Sequence, residues 1–197
     1  MIYPIVAYGD PVLRTECEEL KEGIDISELK QNMFETMYKS KGVGLAAPQV
    51  GKSIRVFVID AASFAEDDPE SEEEAKEFEF LKTFKRMYIN PILEEESGPE
   101  WGFSEGCLSI PGIREEVFRK DTVVISYFDE NWEFKEETLT GLAARVVQHE
   151  YDHIEGVLFT DYLSPIKRRL LKSRLTDISK GEVDVNYKMK FPKRKGK

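Results

Sequence analysis

A chain of 197 residues with a net charge of −10, two cysteines and two histidines is long enough for one domain with a substantial core. It has no apolar run of membrane-spanning length, and Met1 to Asp10 lacks a signal peptide's basic start and apolar centre, so a soluble cytoplasmic protein without membrane contact is expected. Charge is unevenly spread: residues 166 to 197 hold twelve Lys and Arg against three acids, while Glu66 to Glu79 sets nine acids around one lysine.

In chain order, Ser27 to Lys39 is predicted as an amphipathic helix with Leu29, Met33, Phe34 and Met37 on its apolar side and Gly42 beyond its end. The segment Gly42-Val43-Gly44-Leu45-Ala46-Ala47-Pro48-Gln49 is too small and apolar for a solvated connection. Its glycines suit either a tight turn under a sheet or close approach of the backbone to a ligand. Strands are expected at Ile54 to Asp60, Met87 to Leu93 and Ile113 to Phe118, with an exposed acidic insertion near residues 62–85, helical or disordered, after the first. Thr122 to Tyr127 and Trp132 to Leu139 flank Asp129-Glu130-Asn131 as a hairpin. From Leu142 the apolar positions Leu142, Ala143, Val146, Val147 and Ile154 follow helical spacing, and Gly156 stands where a left-handed cap belongs. Ser164-Pro165 opens a final helix that stops at Gly181. After it comes a basic extension, residues 182–197, in which Val183 to Tyr187 reads as an extra strand and Lys188, Lys190, Lys193, Arg194, Lys195 and Lys197 carry the charge. The resulting fold class is α+β, with mainly antiparallel sheets around a central helix, a C-terminal helix, and residues 1–181 as a single catalytic domain.

The two histidines carry the chemistry. His149 and His153 stand four residues apart on the predicted central helix, so both imidazoles project from one face within reach of a single metal ion. Glu150 completes an HExxH arrangement, in which two neutral imidazoles hold a divalent metal and the carboxylate serves as general base. A catalytic metal wants one more protein ligand, and Cys107 in Glu105-Gly106-Cys107-Leu108-Ser109 is the soft candidate; Cys17 lies in a charged segment. Two other readings stay open. One is an HExxH peptidase with Asp161 as its third ligand, and the other a binding protein with a closed structural Cys-His-His site.

At these residues the chain resembles the peptide deformylases, whose three motifs match Gly42 to Gln49, Glu105 to Ser109 and Gln148 to His153 in the same order and at comparable spacing. The resemblance implies that Cys107, His149 and His153 bind one divalent metal per chain, Fe2+ as the working ion with Zn2+, Ni2+ or Co2+ as substitutes. It implies that a metal-bound water attacks the formyl carbon, with Glu150 as general acid/base and with Gln49 and the Leu108 N–H stabilising the oxyanion. The implied reaction removes the N-formyl group from new polypeptides that begin with formyl-methionine, and releases formate. Val43, Phe103, Leu142 and Val146 match positions around the methionine side chain, and Gly44, Gly106 and Arg114 positions that hold the peptide backbone. The chain departs from the common pattern in its acidic stretch, in a charged Arg145 at the expected pocket edge, and in its tail. The basic end offers a contact to ribosomal RNA, with a plain solvated terminus as the alternative. Removing Tyr187 to Lys197 is expected to spare turnover of short formylated peptides.

Overall fold

A computed structural model describes residues 1–193. The first strand, β1 (Ile5–Val6), leads to helix α1 (Ser27–Lys39), whose bounds equal those expected. Strand β2 (Gly44–Ala46) follows and runs straight into a single 3-10 turn, Ala47–Val50, that carries Gln49. The glycine-rich segment is therefore ordered structure rather than a loop.

Strand β3 (Val56–Asp60) explains why its sequence is apolar without alternation. Val56 and Val58 face one core, shared with Met33, Phe34 and Met37 of α1, while Phe57 and Ile59 face a second core on the opposite side. A strand covered on both faces needs apolar residues at every position.

Strands β4 (Lys85–Cys107), β5 (Ile110–Phe128) and β6 (Phe134–Thr140) complete a five-stranded antiparallel sheet in the order β2-β3-β4-β5-β6. The expected strands at Met87 to Leu93, Ile113 to Phe118 and Thr122 to Tyr127 thus belong to one long hairpin. Its register shifts at Ile89/Ile92, Leu93/Glu95, Ser97/Glu100 and Gly106/Cys107 absorb Pro91, Gly98 and Pro99. The hairpin at Asp129 pairs Phe128 with Phe134, as the turn residues imply.

Helix α3 (Gly141–Ile154) packs Ala143, Val147 and Ile154 into the second core, against Ile125, Tyr127 and Leu139 of the sheet. Helix α4 (Pro165–Lys180) has Ser164 as its cap and ends on left-handed Gly181; Leu171, Leu175 and Ile178 cover a third core with Ile110, Ile113 and Val117 of β5.

The acidic stretch forms α2 (Glu72–Leu81), capped by Ser71 and anchored by buried Phe78 and Leu81. Three glutamates in its first turn favour the helix dipole. The extra strand of the tail lies further on than expected, at β7 (Met189–Lys190), paired in parallel with β1. Arg194, Lys195 and Lys197 lie outside the described residues. Among the described residues, no helix is long and apolar enough to cross a membrane.

Candidate metal centre

The long hairpin exists to carry one residue to α3. Cys107 ends β4, Leu108 and Ser109 form the two-residue turn, and Cys107 pairs with Ile110 as the strand returns. This tip meets the face of α3 that bears the histidines. Candidate ligand atoms of Cys107, His149 and His153 lie within 4.8 Å of one another, with Cys107 Sγ 3.3 Å from His153 Nε2. Ligands about 2.0–2.3 Å from a shared tetrahedral ion stand roughly 3.3–3.8 Å apart, so one sulfur and two imidazole nitrogens fit a divalent metal here.

Tautomers and orientation are set behind the cluster. His149 Nδ1 lies 2.9 Å from Glu105 Oε2, which leaves Nε2 for the metal side. Burial opposes charge on His149, but its hydrogen bonds to Cys107 and Glu105 outweigh that and raise its pKa well above the ordinary value. At His153 burial wins and holds the ring neutral, the form a ligand needs.

Glu105 itself is buried and takes a bidentate pair from Arg119 at 2.7 and 3.0 Å and a further bond from Arg145 at 3.1 Å. Burial would raise its pKa, yet the His149 and Arg119 bonds hold the carboxyl far below the usual range. Arg119 also donates to Asp152 at 2.7 Å, so two arginines balance two buried acids. Glu105→Gln keeps the shape and removes the charge that orients His149, and should weaken metal affinity about 10- to 100-fold, read by chelator competition on folded protein. Unchanged affinity would show that Glu105 does not orient the ligand.

Arg145 borders the cleft, as expected, but its charge is tied down: its side chain is 1% exposed, bonded to Glu105, to the Val117 carbonyl at 2.8 Å and to the Trp101 carbonyl at 2.6 Å, and it stacks on the Trp101 ring. It braces α3 against the carbonyls of the long hairpin. Asp161 lies elsewhere: its carboxylate takes Arg14 and the Leu158 N–H, and it does not join the ligand group. Both cysteines are free thiols.

Glu150 borders the cluster, almost fully buried, with no hydrogen-bond partner for Oε2 among the described residues. Burial pushes its carboxyl up to about 7. Gly44 makes room for it, since a Cβ there would meet Glu150 Cγ and Cδ at 2.8 Å. Gln49 is fixed from one end, where its Oε1 accepts the Ala46 N–H at 2.8 Å, so its Nε2 points at Cys107 Sγ, 3.3 Å away, and at Ser109 Oγ, 3.5 Å away.

A cleft of about 840 Å³ opens over the cluster. Val43, Gly44, Phe103, Gly106, Arg114 and Val146 line it, as expected for the substrate residues, and so do Gln49, Leu108 and Glu150. Leu142 is the exception. It is partly buried and packs against the second core, one turn ahead of Val146, and its N–H is taken by Glu77 of α2 at 2.8 Å. That bond caps α3, where the residue at the cap position, Thr140, makes no side-chain bond of its own. Among the cleft residues that the sequence reading did not assign to the site are Phe64, which meets Phe103 edge to face at 6.3 Å, and Tyr187 from the tail. Neither sits in one of the three motifs, so only long-range packing reveals them.

The chain is similar to known proteins over nearly its whole length. The family model described as polypeptide deformylase matches residues 2–169. A peptide deformylase of Christiangramia forsetii is 56% identical over 99% of this chain and 98% of its own length, and one from Cytophaga hutchinsonii is 52% identical over 99% and 100%. Among solved structures, the peptide deformylase of Legionella pneumophila superposes with a TM-score of 0.77 at 34% identity, covering 92% of this chain and 98% of that one. The Thermus thermophilus enzyme gives 0.77 at 36% identity, covering 92% and 99%. With a family match over most of its length and relatives more than half identical from end to end, the chain belongs to the polypeptide deformylases, metal-dependent hydrolases that remove N-formyl groups from new polypeptides.

Proposed function

We propose that this chain deformylates formyl-methionyl peptides in the cytoplasm with Cys107, His149 and His153 as metal ligands, Glu150 as the proton carrier, and Gln49 Nε2 and the Leu108 N–H as oxyanion donors. The observation that carries the reading is the buried Glu150 carboxyl beside the ligand cluster in the wall of the cleft, with its Oε2 left without a hydrogen-bond partner among the described residues. A divalent metal, Fe2+ in the working enzyme and Zn2+, Ni2+ or Co2+ in substituted forms, supplies the Lewis acidity that makes water nucleophilic near neutral pH.

Glu150 accepts the proton as water's oxygen bonds to the formyl carbon, then returns it to the amine nitrogen as the C–N bond breaks, leaving formate. Burial favours the protonated carboxyl, which helps Glu150 hold the proton between the two halves of that transfer. Gln49, held at its oxygen end, presents its amide hydrogens without reorganisation where charge develops on the formyl oxygen. Val43, Phe103 and Val146, with Phe64 beside them, form an apolar slot for the unbranched methionine side chain. Gly44, Gly106 and Arg114 edge the path of the peptide backbone.

Formate release from a formyl-Met-Ala peptide by protein purified without oxygen, with parallel metal analysis, tests the reading. Metal-loaded protein that releases none would overturn it, and cleavage of internal peptide bonds would instead favour an HExxH peptidase.

The ribosome is the proposed docking partner, through the exposed basic face of α4 at Arg168, Arg169 and Lys172. Removing Tyr187 to Lys197 does not isolate this contact, since that cut takes away β7 and a cleft residue. Changing Arg168, Arg169 and Lys172 to Gln leaves the cleft untouched. That variant should weaken co-sedimentation with ribosomes and lower its salt dependence by about one unit of slope for each phosphate left without a cationic partner, with peptide turnover unchanged. Equal binding at low salt would remove α4 as the docking face.

A further inference from the structure

The tail returns across the mouth of the cleft after Gly181, and Asp184, Val185, Asn186 and Tyr187 form part of its wall. Tyr187 is half-buried, packs against the core that holds Met33 and Ile89, and donates its hydroxyl to the Leu108 carbonyl at 2.8 Å. Leu108 and Ser109 are the two central residues of the β4–β5 turn. Carbonyls at such a tip lack ladder partners and ordinarily turn to water. Here both are taken by the ends of the chain: the Leu108 carbonyl by Tyr187, and the Ser109 carbonyl by the Tyr8 N–H at 2.8 Å. The two ends brace each other in turn, since Ile5 N–H donates to the Lys188 carbonyl at 2.8 Å and Ala7 N–H to the Lys190 carbonyl at 2.9 Å.

We propose that Tyr187 is a positioning residue for deformylation: its hydroxyl locks the Leu108 backbone so that the Leu108 N–H stays aimed at the developing oxyanion. The proposal rests on the assignment of that N–H as an oxyanion donor. The Leu108 N–H and C=O lie on the two peptide planes that meet at its Cα, so pinning the carbonyl plane in a turn whose base is already paired at Cys107 and Ile110 restricts the swing of the N–H. A donor fixed before reaction costs no reorganisation in the transition state. Placing this lock in the tail makes the segment after α4 part of the catalytic apparatus rather than a detachable extension.

Tyr187→Phe keeps the ring and removes the donor. It should lower kcat on formyl-Met-Ala about tenfold, the worth of one hydrogen bond, with KM and metal content unchanged and the melting temperature lowered by no more than the few degrees that one hydrogen bond is worth. Unchanged kcat, or an effect that falls on KM or melting temperature instead, would overturn the proposal. Gln49→Leu measured alongside separates the two possible failures. If it loses about 10²-fold while Tyr187→Phe loses nothing, the oxyanion assignment stands and the role of Tyr187 falls; if neither variant changes kcat, the oxyanion assignment falls and takes the proposal with it.

Discussion

Glu150→Gln should keep its metal and lose about 10²-fold or more in kcat, the usual scale for a general acid/base. The amide fills the same space beside Gly44 but can neither take nor return a proton. Loss of fold is separable by pH. A carboxyl whose folded pKa, about 7, exceeds its ordinary 4.5 contributes stability that is fully present below 4.5 and is lost as pH rises through 7. An uncharged glutamine carries no such loss, so metal-free Glu150→Gln should melt no earlier than the parent at pH 8. Full activity in the folded, metal-loaded variant would refute the mechanism.

Cys107→Ala should lose metal and activity together, because removing the one sulfur leaves two imidazoles to hold the ion. Cys17→Ala is the control. Cys17 is buried behind α3, where its N–H meets the Ile154 carbonyl at 2.8 Å, and burial pushes its thiol up to about 11, so it serves as a small apolar filler. It should leave both metal content and turnover unchanged. Normal metal content in Cys107→Ala by elemental analysis would end the ligand assignment.

Elements whose signals are local were legible. Ser27 to Lys39, with its apolar spacing, and the Ser164-Pro165 cap with Gly181 at the far end gave helix bounds that the structure repeats. The hairpin around Asp129 and the HExxH helix were legible for the same reason. The β4–β5 hairpin was not, because bulges interrupt alternation without ending the strand, and Gly98-Pro99 mimics punctuation. Glu66 to Glu79 looked like solvated surface because its acids outnumber Phe78 and Leu81, yet those two anchor α2 and Glu77 reaches the start of α3.

The sequence alone singled out the candidate ligands, the candidate proton carrier and the family resemblance, since these depend on residue type and on spacing within three short motifs. A spacing of four positions from His149 to His153 puts both on one face of any α-helix. Only the tertiary structure decided what surrounds them: the buried bonds of Arg145, Leu142 against the core, Phe64 in the cleft wall, and Tyr187 on the Leu108 carbonyl. Each of these depends on segments far apart in the chain, up to 79 positions for Tyr187 and Leu108. Such pairings follow from how the sheet and helices pack, and no periodicity along a single segment encodes them.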